Sequence, residues 1–241
     1  MSSMKLDILA IAAHPDDAEL SCGATLYQHA LAGKKTGIVD LTTGQLGTRG
    51  TPALRIKESH EAAKILKLAV RENLEMEDGF FLNDKAHQLR LISAIRKYQP
   101  DILLINAPHD RHPDHGKGAQ LASDAAFLSG LAKIETKHNG KIQDAWRPKN
   151  VYHYIQAEHI KPDFVVDISD SYAVKMQAIL AYKSQFFDPD SKEKNTFISS
   201  PEFLDFLKAR HQEFGQIAGV KYAEGFVAQR HIGVKDLTSL F

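Results

Sequence analysis

The 241-residue chain holds a single cysteine, Cys22, so no intrachain disulfide can form. A chain that does without disulfides fits a reducing compartment, and we expect a cytoplasmic protein. Cys22 itself reads as a small buried apolar residue on a helix. An excess of one charge is also missing: Lys plus Arg and Asp plus Glu both number 30. Without a basic surplus there is no electrostatic footprint for nucleic acid. Long apolar runs are lacking too. The run nearest the N-terminus follows Asp7 and stops at His14, which is too short and too interrupted for a signal peptide or a membrane span. The last absence is of Gly-x-Gly-x-x-Gly after the first apolar run, where a dinucleotide-binding fold would carry it. Nothing in the pattern therefore supports a nicotinamide or flavin cofactor.

What is present is an alternation. With 43% hydrophobic residues the chain can bury a sizeable core, and its length fits one α/β domain over 1–241. Strands are predicted over 6–12, 36–41, 70–74, 101–105, 151–155 and 164–168. Helices are predicted over 17–32, 52–66, 84–98, 116–131, 171–182 and 202–217. Leu20, Ala24, Tyr27 and Leu31 recur at helical spacing, Gly33 suits a helix end, and Pro52 suits a first turn. Ser169 or Asp170 is placed to cap the helix after the sixth strand. The segment 43–51 has three glycines and no periodicity, so it reads as a loop, and so does the polar stretch 187–201. Strand–helix alternation implies a Rossmann-like, mostly parallel sheet with helices on both faces. Such strands read as continuous apolar runs.

Two of those strands run into loops loaded with imidazoles and carboxylates. Ile8-Leu9-Ala10-Ile11-Ala12 leads into Ala13-His14-Pro15-Asp16-Asp17. Ile102-Leu103-Leu104-Ile105 is followed by Arg111-His112-Pro113-Asp114-His115. Ligands of open α/β sheets bind at the carboxyl ends of the strands, so both clusters can meet at one crevice. His14 and Asp17 carry good zinc donors at a spacing that lets both project from one side of a turn. A catalytic zinc needs about three protein ligands and an open position, and His115 is the candidate for the third. Asp16 fits a general base, and a protonated His112 fits an oxyanion stabiliser and proton donor. Asp114 fits a carboxylate that fixes a histidine tautomer. These parts suit hydrolysis of an amide or ester. Either cluster alone is common in solvated loops, and Asp17 alone can be a helix cap. A closed structural zinc site is disfavoured by the single cysteine.

The pair of motifs, with Ala18-Glu19 after the first, resembles the LmbE-like (PIG-L) superfamily of zinc-dependent N-acetylglucosamine deacetylases. The likeness runs along nearly the whole chain. Leu54-Arg55, Tyr182-Lys183-Ser184-Gln185-Phe186 and Tyr222-Ala223-Glu224-Gly225-Phe226 resemble the bacillithiol-pathway branch, which acts on N-acetylglucosaminyl-malate. The resemblance implies His14, Asp17 and His115 as metal ligands, Asp16 as base, His112 as electrostatic or acid partner, and Asp114 as a tuner. It also implies a homo-oligomer, trimer or hexamer. Zn2+ is the implied ion, with Fe2+ or cobalt compatible with the same N/O donors. Mycothiol-pathway relatives have an acidic residue where Ala18 stands and a tyrosine where Asp110 stands, which turns the expectation away from their substrate. The alternatives are another GlcNAc compound, such as a chitin fragment, or a non-catalytic metal- or sugar-binding protein.

A malyl conjugate carries two carboxylates, and arginine holds carboxylates in bidentate fashion. Arg55 is the expected clamp, with Arg111 a second candidate for which a surface ion pair is the competing reading. Tyr182, Gln185 and Tyr222 are candidate lining residues. His29, His60 and His211 fall on predicted helices away from both motifs and read as surface or satisfied histidines.

Overall fold

The first strand alternates its side chains between two covered faces, and the rest of the fold follows from that. In the computed structural model, which describes residues 4–240 apart from 188, β1 (Ile8–Ala12) is buried at every position. Leu9 and Ile11 face one layer with Leu103 and Ile105, covered by Leu91, Ile92 and Ile95 and by Leu121, Ala122 and Ala125. Ile8, Ala10 and Ala12 face the other layer, against Ala18, Cys22 and Leu26. A strand covered on both sides cannot alternate polar and apolar residues, hence the unbroken run.

The elements continue as α1 (Asp17–Leu31), β2 (Thr36–Thr42), α2 (Pro52–Ile65), β3 (Val70–Met76), α3 (Lys85–Tyr98), β4 (Ile102–Ile105) and α4 (Pro113–Leu128). A small hairpin, β5 (Lys137–His138) with β6 (Lys141–Ile142), precedes β7 (Asn150–Tyr154), β8 (Phe164–Asp167), α5 (Tyr172–Leu180), α6 (Pro201–Ala218) and β9 (Ala223–Ala228). The seven-stranded sheet has the order β3-β2-β1-β4-β7-β9-β8. The first five of these run parallel, and β9 is antiparallel to both β7 and β8. The fold is therefore mixed α/β around a mostly parallel sheet, with helices on both faces.

From β1 the chain steps outward to β2 and β3, then returns to lay β4 on β1's other side, pairing Ile8 with Ile102 and Ala10 with Leu104. This reversal is a topological switch point, and the crevice beyond it lies between the two motif loops.

The structure departs from the sequence reading at the β5–β6 hairpin, which that reading lacks, and in four further places. Strand β9 has no counterpart in that reading; Glu224 and Gly225 break its apolar pattern because they face a buried ion pair and a cavity. Helix α4 starts at Pro113 rather than Gly116, so the second motif lies largely in the first turn, with His112 as N-cap and proline at a tolerated first position. Asp16, not Asp17, is the N-cap of α1. Ser171 rather than Ser169 or Asp170 precedes α5, because Ser169 turns its hydroxyl back to Asp167. Among the described residues no helix is long and apolar enough to cross a membrane.

Candidate active site

Asn106, the first residue beyond β4, ties the two motif loops together. Its Oδ1 accepts from Ala13 N at 3.0 Å, and its Nδ2 donates to Asp17 Oδ2 at 3.2 Å and to Gln156 Oε1 at 3.0 Å. Asp17 is buried, and its Oδ2 also accepts from the His14 backbone N–H at 3.0 Å. The carboxylate is thereby fixed with Oδ1 at 3.1 Å from His115 Nε2 and Oδ2 at 3.6 Å from His14 Nδ1. Asp17 is thus brought against both His14 and His115, although 101 positions separate those two histidines. His112 joins them: His14, His112 and His115 each offer a nitrogen within 4.8 Å of the others.

Each of the two expected ligand imidazoles, His14 and His115, meets a carboxylate at the nitrogen turned away from Asp17. His14 Nε2 lies 2.9 Å from Asp78 Oδ1 and 3.4 Å from Asp114 Oδ2, and His115 Nδ1 lies 2.5 Å from Asp110 Oδ2. Such partners fix the tautomer and raise the basicity of metal-binding histidines. The histidine that Asp114 faces is His14. Asp114 is itself held by Gly79 N at 2.7 Å. Asp78 and Asp110 escape the sequence reading. Asp78 sits in an ordinary-looking turn after β3, and Asp110 carries no signal beyond standing where relatives have a tyrosine.

The surrounding carboxylates favour positive charge on the two imidazoles. Burial opposes charge on His14, but bonds to Asp114, Asp17 and Asp78 outweigh it and raise its pKa well above the usual value. Burial is likewise overcome at His115, where the Asp17 charge and the Asp110 bond raise the pKa to about 9. Asp17 stays well below the normal carboxylate range despite burial, because His115 and His14 face it. A divalent ion satisfies the same carboxylates while displacing imidazole protons. The donor set, one carboxylate and two imidazoles with carboxylate partners behind them, fits zinc or a related divalent ion.

His112 differs from its neighbours. As N-cap of α4, its Nδ1 accepts from Asp114 N at 3.2 Å, which leaves the ring proton on Nε2. Burial and the charges of His14 and His115 lower its pKa, and the positive end of the helix acts in the same direction. A ring that accepts at Nδ1 offers its N–H at Nε2, where the sequence reading has a protonated His112.

Asp16 occupies a left-handed backbone position, φ 104°, with no side-chain cap bond. For a residue other than glycine this costs on the order of 1–3 kcal/mol, and such strain gathers at functional sites. Its carboxylate is buried, which pushes its pKa up to about 6 against the lowering charge of Arg55.

A cavity of about 510 Å³ opens beside the cluster. His14, Asp16, Asp17, His112 and His115 line one wall. Phe197 and, from α6, Phe203, Leu207 and Phe214 line the other. Arg111 reaches this cavity with its guanidinium over the Phe197 ring at 4.3 Å, and Gln185 lines it while donating to Arg49 O at 2.9 Å. Two expected lining residues are elsewhere. Tyr182 is fully buried, with its hydroxyl donating to Glu19 Oε1 at 2.8 Å and accepting from Arg71 at 3.1 Å. Tyr222 is stacked on Tyr172, ring centroids 4.0 Å apart, beneath α6. Both are core aromatics. Arg55 borders the cavity, with its Nη2 bonded to Asp16 Oδ2 at 2.7 Å. His211, expected to be satisfied or on the surface, is buried against the cavity, and its Nδ1 has no hydrogen-bond partner among the described residues.

A family model described as PIG-L, GlcNAc-PI de-N-acetylase, matches residues 9–126, the span that holds both motifs. The chain is 27% identical over 228 residues to the diacetylchitobiose deacetylase of Thermococcus kodakarensis, covering 90% of this chain and 81% of that protein. Among solved structures, a conserved protein of Thermus thermophilus is 36% identical with TM-score 0.85, over 95% of this chain and 98% of the other. The N,N'-diacetylchitobiose deacetylase of Pyrococcus horikoshii is 26% identical with TM-score 0.79, over 92% and 83%.

Proposed function

The chain belongs to the PIG-L family, and from that membership we propose that it is a metal-dependent hydrolase that removes the N-acetyl group from an N-acetylglucosamine conjugate. The observation that carries the proposal is the convergence of His14, Asp17 and His115, with Asp16 and His112 alongside on the cavity wall. A non-catalytic binding module has no use for a strained, buried carboxylate beside a ligand triad.

His14, Asp17 and His115 would hold the ion, zinc or iron by their donor chemistry. When bound, it supplies Lewis-acid polarisation of the amide carbonyl and a more acidic water. The remaining work falls to the chain's own groups. Asp16 takes the proton of the attacking water and passes it to the departing amine, so that the amide C–N bond breaks to give acetate and a free amino sugar. His112 donates its Nε2–H to the oxyanion as charge develops there, a role that a neutral imidazole fills. Asp78, Asp110 and Asp114 keep the two ligand rings in one tautomer.

For the substrate, the favoured reading is N-acetylglucosaminyl-malate, the bacillithiol-pathway intermediate. Its support is Arg111, which borders the cavity with its guanidinium lying over Phe197. A second reading, a chitobiose-type disaccharide, is favoured by the aromatic wall, on which a second sugar ring can lie. Release of free amine from malyl, inositol and chitobiose conjugates of N-acetylglucosamine, with and without chelator, tests both. The malyl conjugate is expected to turn over fastest and to stop on chelation. Turnover that survives metal removal, or no turnover of any conjugate, refutes the proposal.

A further inference from the structure

We propose that Arg55 is a positioning residue that holds the Asp16 carboxylate, and that a slot built by Gly44 and Gly47 exists to seat it. The inference rests on the reading of Asp16 as the base. One nitrogen of Arg55, Nη2, donates to Asp16 Oδ2 at 2.7 Å and to Pro15 O at 2.8 Å. It therefore grips the backbone and the side chain of the same turn. Asp16 needs such a grip, because its φ of 104° is unfavourable and no cap bond of its own holds it.

The seating is specific. Gly44 has φ +69°, and a Cβ there would lie 2.1 Å from Arg55 Nη1 and 2.9 Å from Cζ. A Cβ at Gly47 would come within 3.4 Å of the same nitrogen. The glycines of loop 43–51 thus leave the space that the guanidinium fills. On the other side, Thr51 caps α2 through Leu54 N and Pro52 opens the helix, which fixes where Arg55 starts. Arg55 borders the cavity, but its Nη2 already donates to Pro15 O and Asp16 Oδ2 and its Nη1 lies against Gly44, so neither edge of the fork keeps both of its nitrogens free. A bidentate carboxylate clamp needs two parallel N–H groups free on one edge.

The test measures kcat, KM, metal content and conjugate binding for Arg55→Lys, Arg55→Ala and Gly44→Ala, each alone and with Asp16→Asn. Gly44→Ala reaches the same contact without changing any ionisable group. Misplacing a catalytic group by about 1 Å costs up to about a hundredfold in rate, so kcat is expected to fall by that order while KM and metal content hold. Added methylguanidinium is expected to restore turnover to Arg55→Ala only while Asp16 is present. In the Asp16→Asn background, adding Arg55→Lys is expected to leave the calorimetric affinity for the conjugate unchanged. A raised KM with kcat retained, or weaker binding in that background, places Arg55 on the substrate and overturns the inference. The wild-type enzyme on the conjugate panel tests the functional reading separately. A crystal structure of Arg55→Lys decides the point without turnover: a displaced Asp16 carboxylate upholds the inference, and an unmoved one sinks it.

Discussion

Asp110 Oδ2 accepts a hydrogen bond from His115 Nδ1 at 2.5 Å, while its Oδ1 accepts from Glu158 N at 2.7 Å. Across the cluster, Asp78 repeats the arrangement, with Oδ1 on His14 Nε2 and Oδ2 on Leu46 N. The rings of His14 and His115 are thus each backed by a carboxylate that is itself pinned to backbone. The result is that His14 Nδ1 and His115 Nε2 both turn toward Asp17.

If these carboxylates orient the ligands, Asp110→Asn weakens metal retention by about 10–100-fold without unfolding the protein. Competition against a chromophoric chelator measures it, with circular dichroism as the control for folding. Asp78→Asn acts in the same sense through His14. Unchanged affinity in both variants means that the rings hold their orientation without them.

The two halves of this site differ in how far the sequence discloses them. His14, Asp17, His112 and His115 are legible because each follows an apolar run whose fate as a buried strand is fixed by composition. Parallel strands then bring their carboxyl ends together. Asp78, Asp110 and Asn106 are not legible, since their roles arise from contacts with residues 5 to 93 positions away. Arg55 is legible in the sequence as a partner for a carboxylate, and the carboxylate it contacts in the structure is Asp16 of the same chain. Motif likeness places Tyr182 and Tyr222 at the cavity, and packing assigns them to the core. Strand β9 is hidden because Glu224, a buried acid in a strand, has its partners on α1 and α5.

Asp16→Asn is expected to lower kcat by about 10²–10⁴-fold, the range for loss of a general base, while bound metal stays near the wild-type level. Elemental analysis alongside steady-state kinetics gives both quantities. His115→Ala should do the reverse and strip the ion. Metal lost from Asp16→Asn with turnover retained would exchange the two roles.

Proton linkage gives a test that needs no substrate. Burial lowers the pKa of His115, but the Asp17 charge and the Asp110 bond win and raise it to about 9, against an unfolded value of about 6.5. A raised imidazole pKa stabilises the fold fully below the unfolded value, and that contribution is lost as pH climbs through the folded one. Metal-stripped protein should therefore lose Tm between about pH 6.5 and about 9. With metal bound the ion replaces the proton, so this decline should flatten. A Tm of the stripped protein that does not fall across that window removes His115 as a proton site.

The last prediction concerns what keeps α1, and with it Asp17, in place. Lys175 and Glu224 are fully buried with Nζ and Oε1 2.5 Å apart. Glu224 also accepts from Ala24 N at 3.1 Å and, through Oε2, from Thr25 N at 2.8 Å and Thr25 Oγ1 at 2.6 Å. One carboxylate thereby fastens β9 and α5 to the helix that begins at the first motif. Removing Lys175 leaves Glu224 charged, buried and short of its counter-ion, which costs about 3–5 kcal/mol. For a chain of this length each kcal/mol is worth roughly 2–4 °C, so Lys175→Met should lower Tm by about 10 °C. Metal affinity should fall as well, because Asp17 lies about two helical turns before Ala24. A variant that melts normally would show that the pair carries no net stability. A variant that melts early yet binds metal as tightly as wild type would show that the first turn of α1 is held by Asn106 and Arg55 alone.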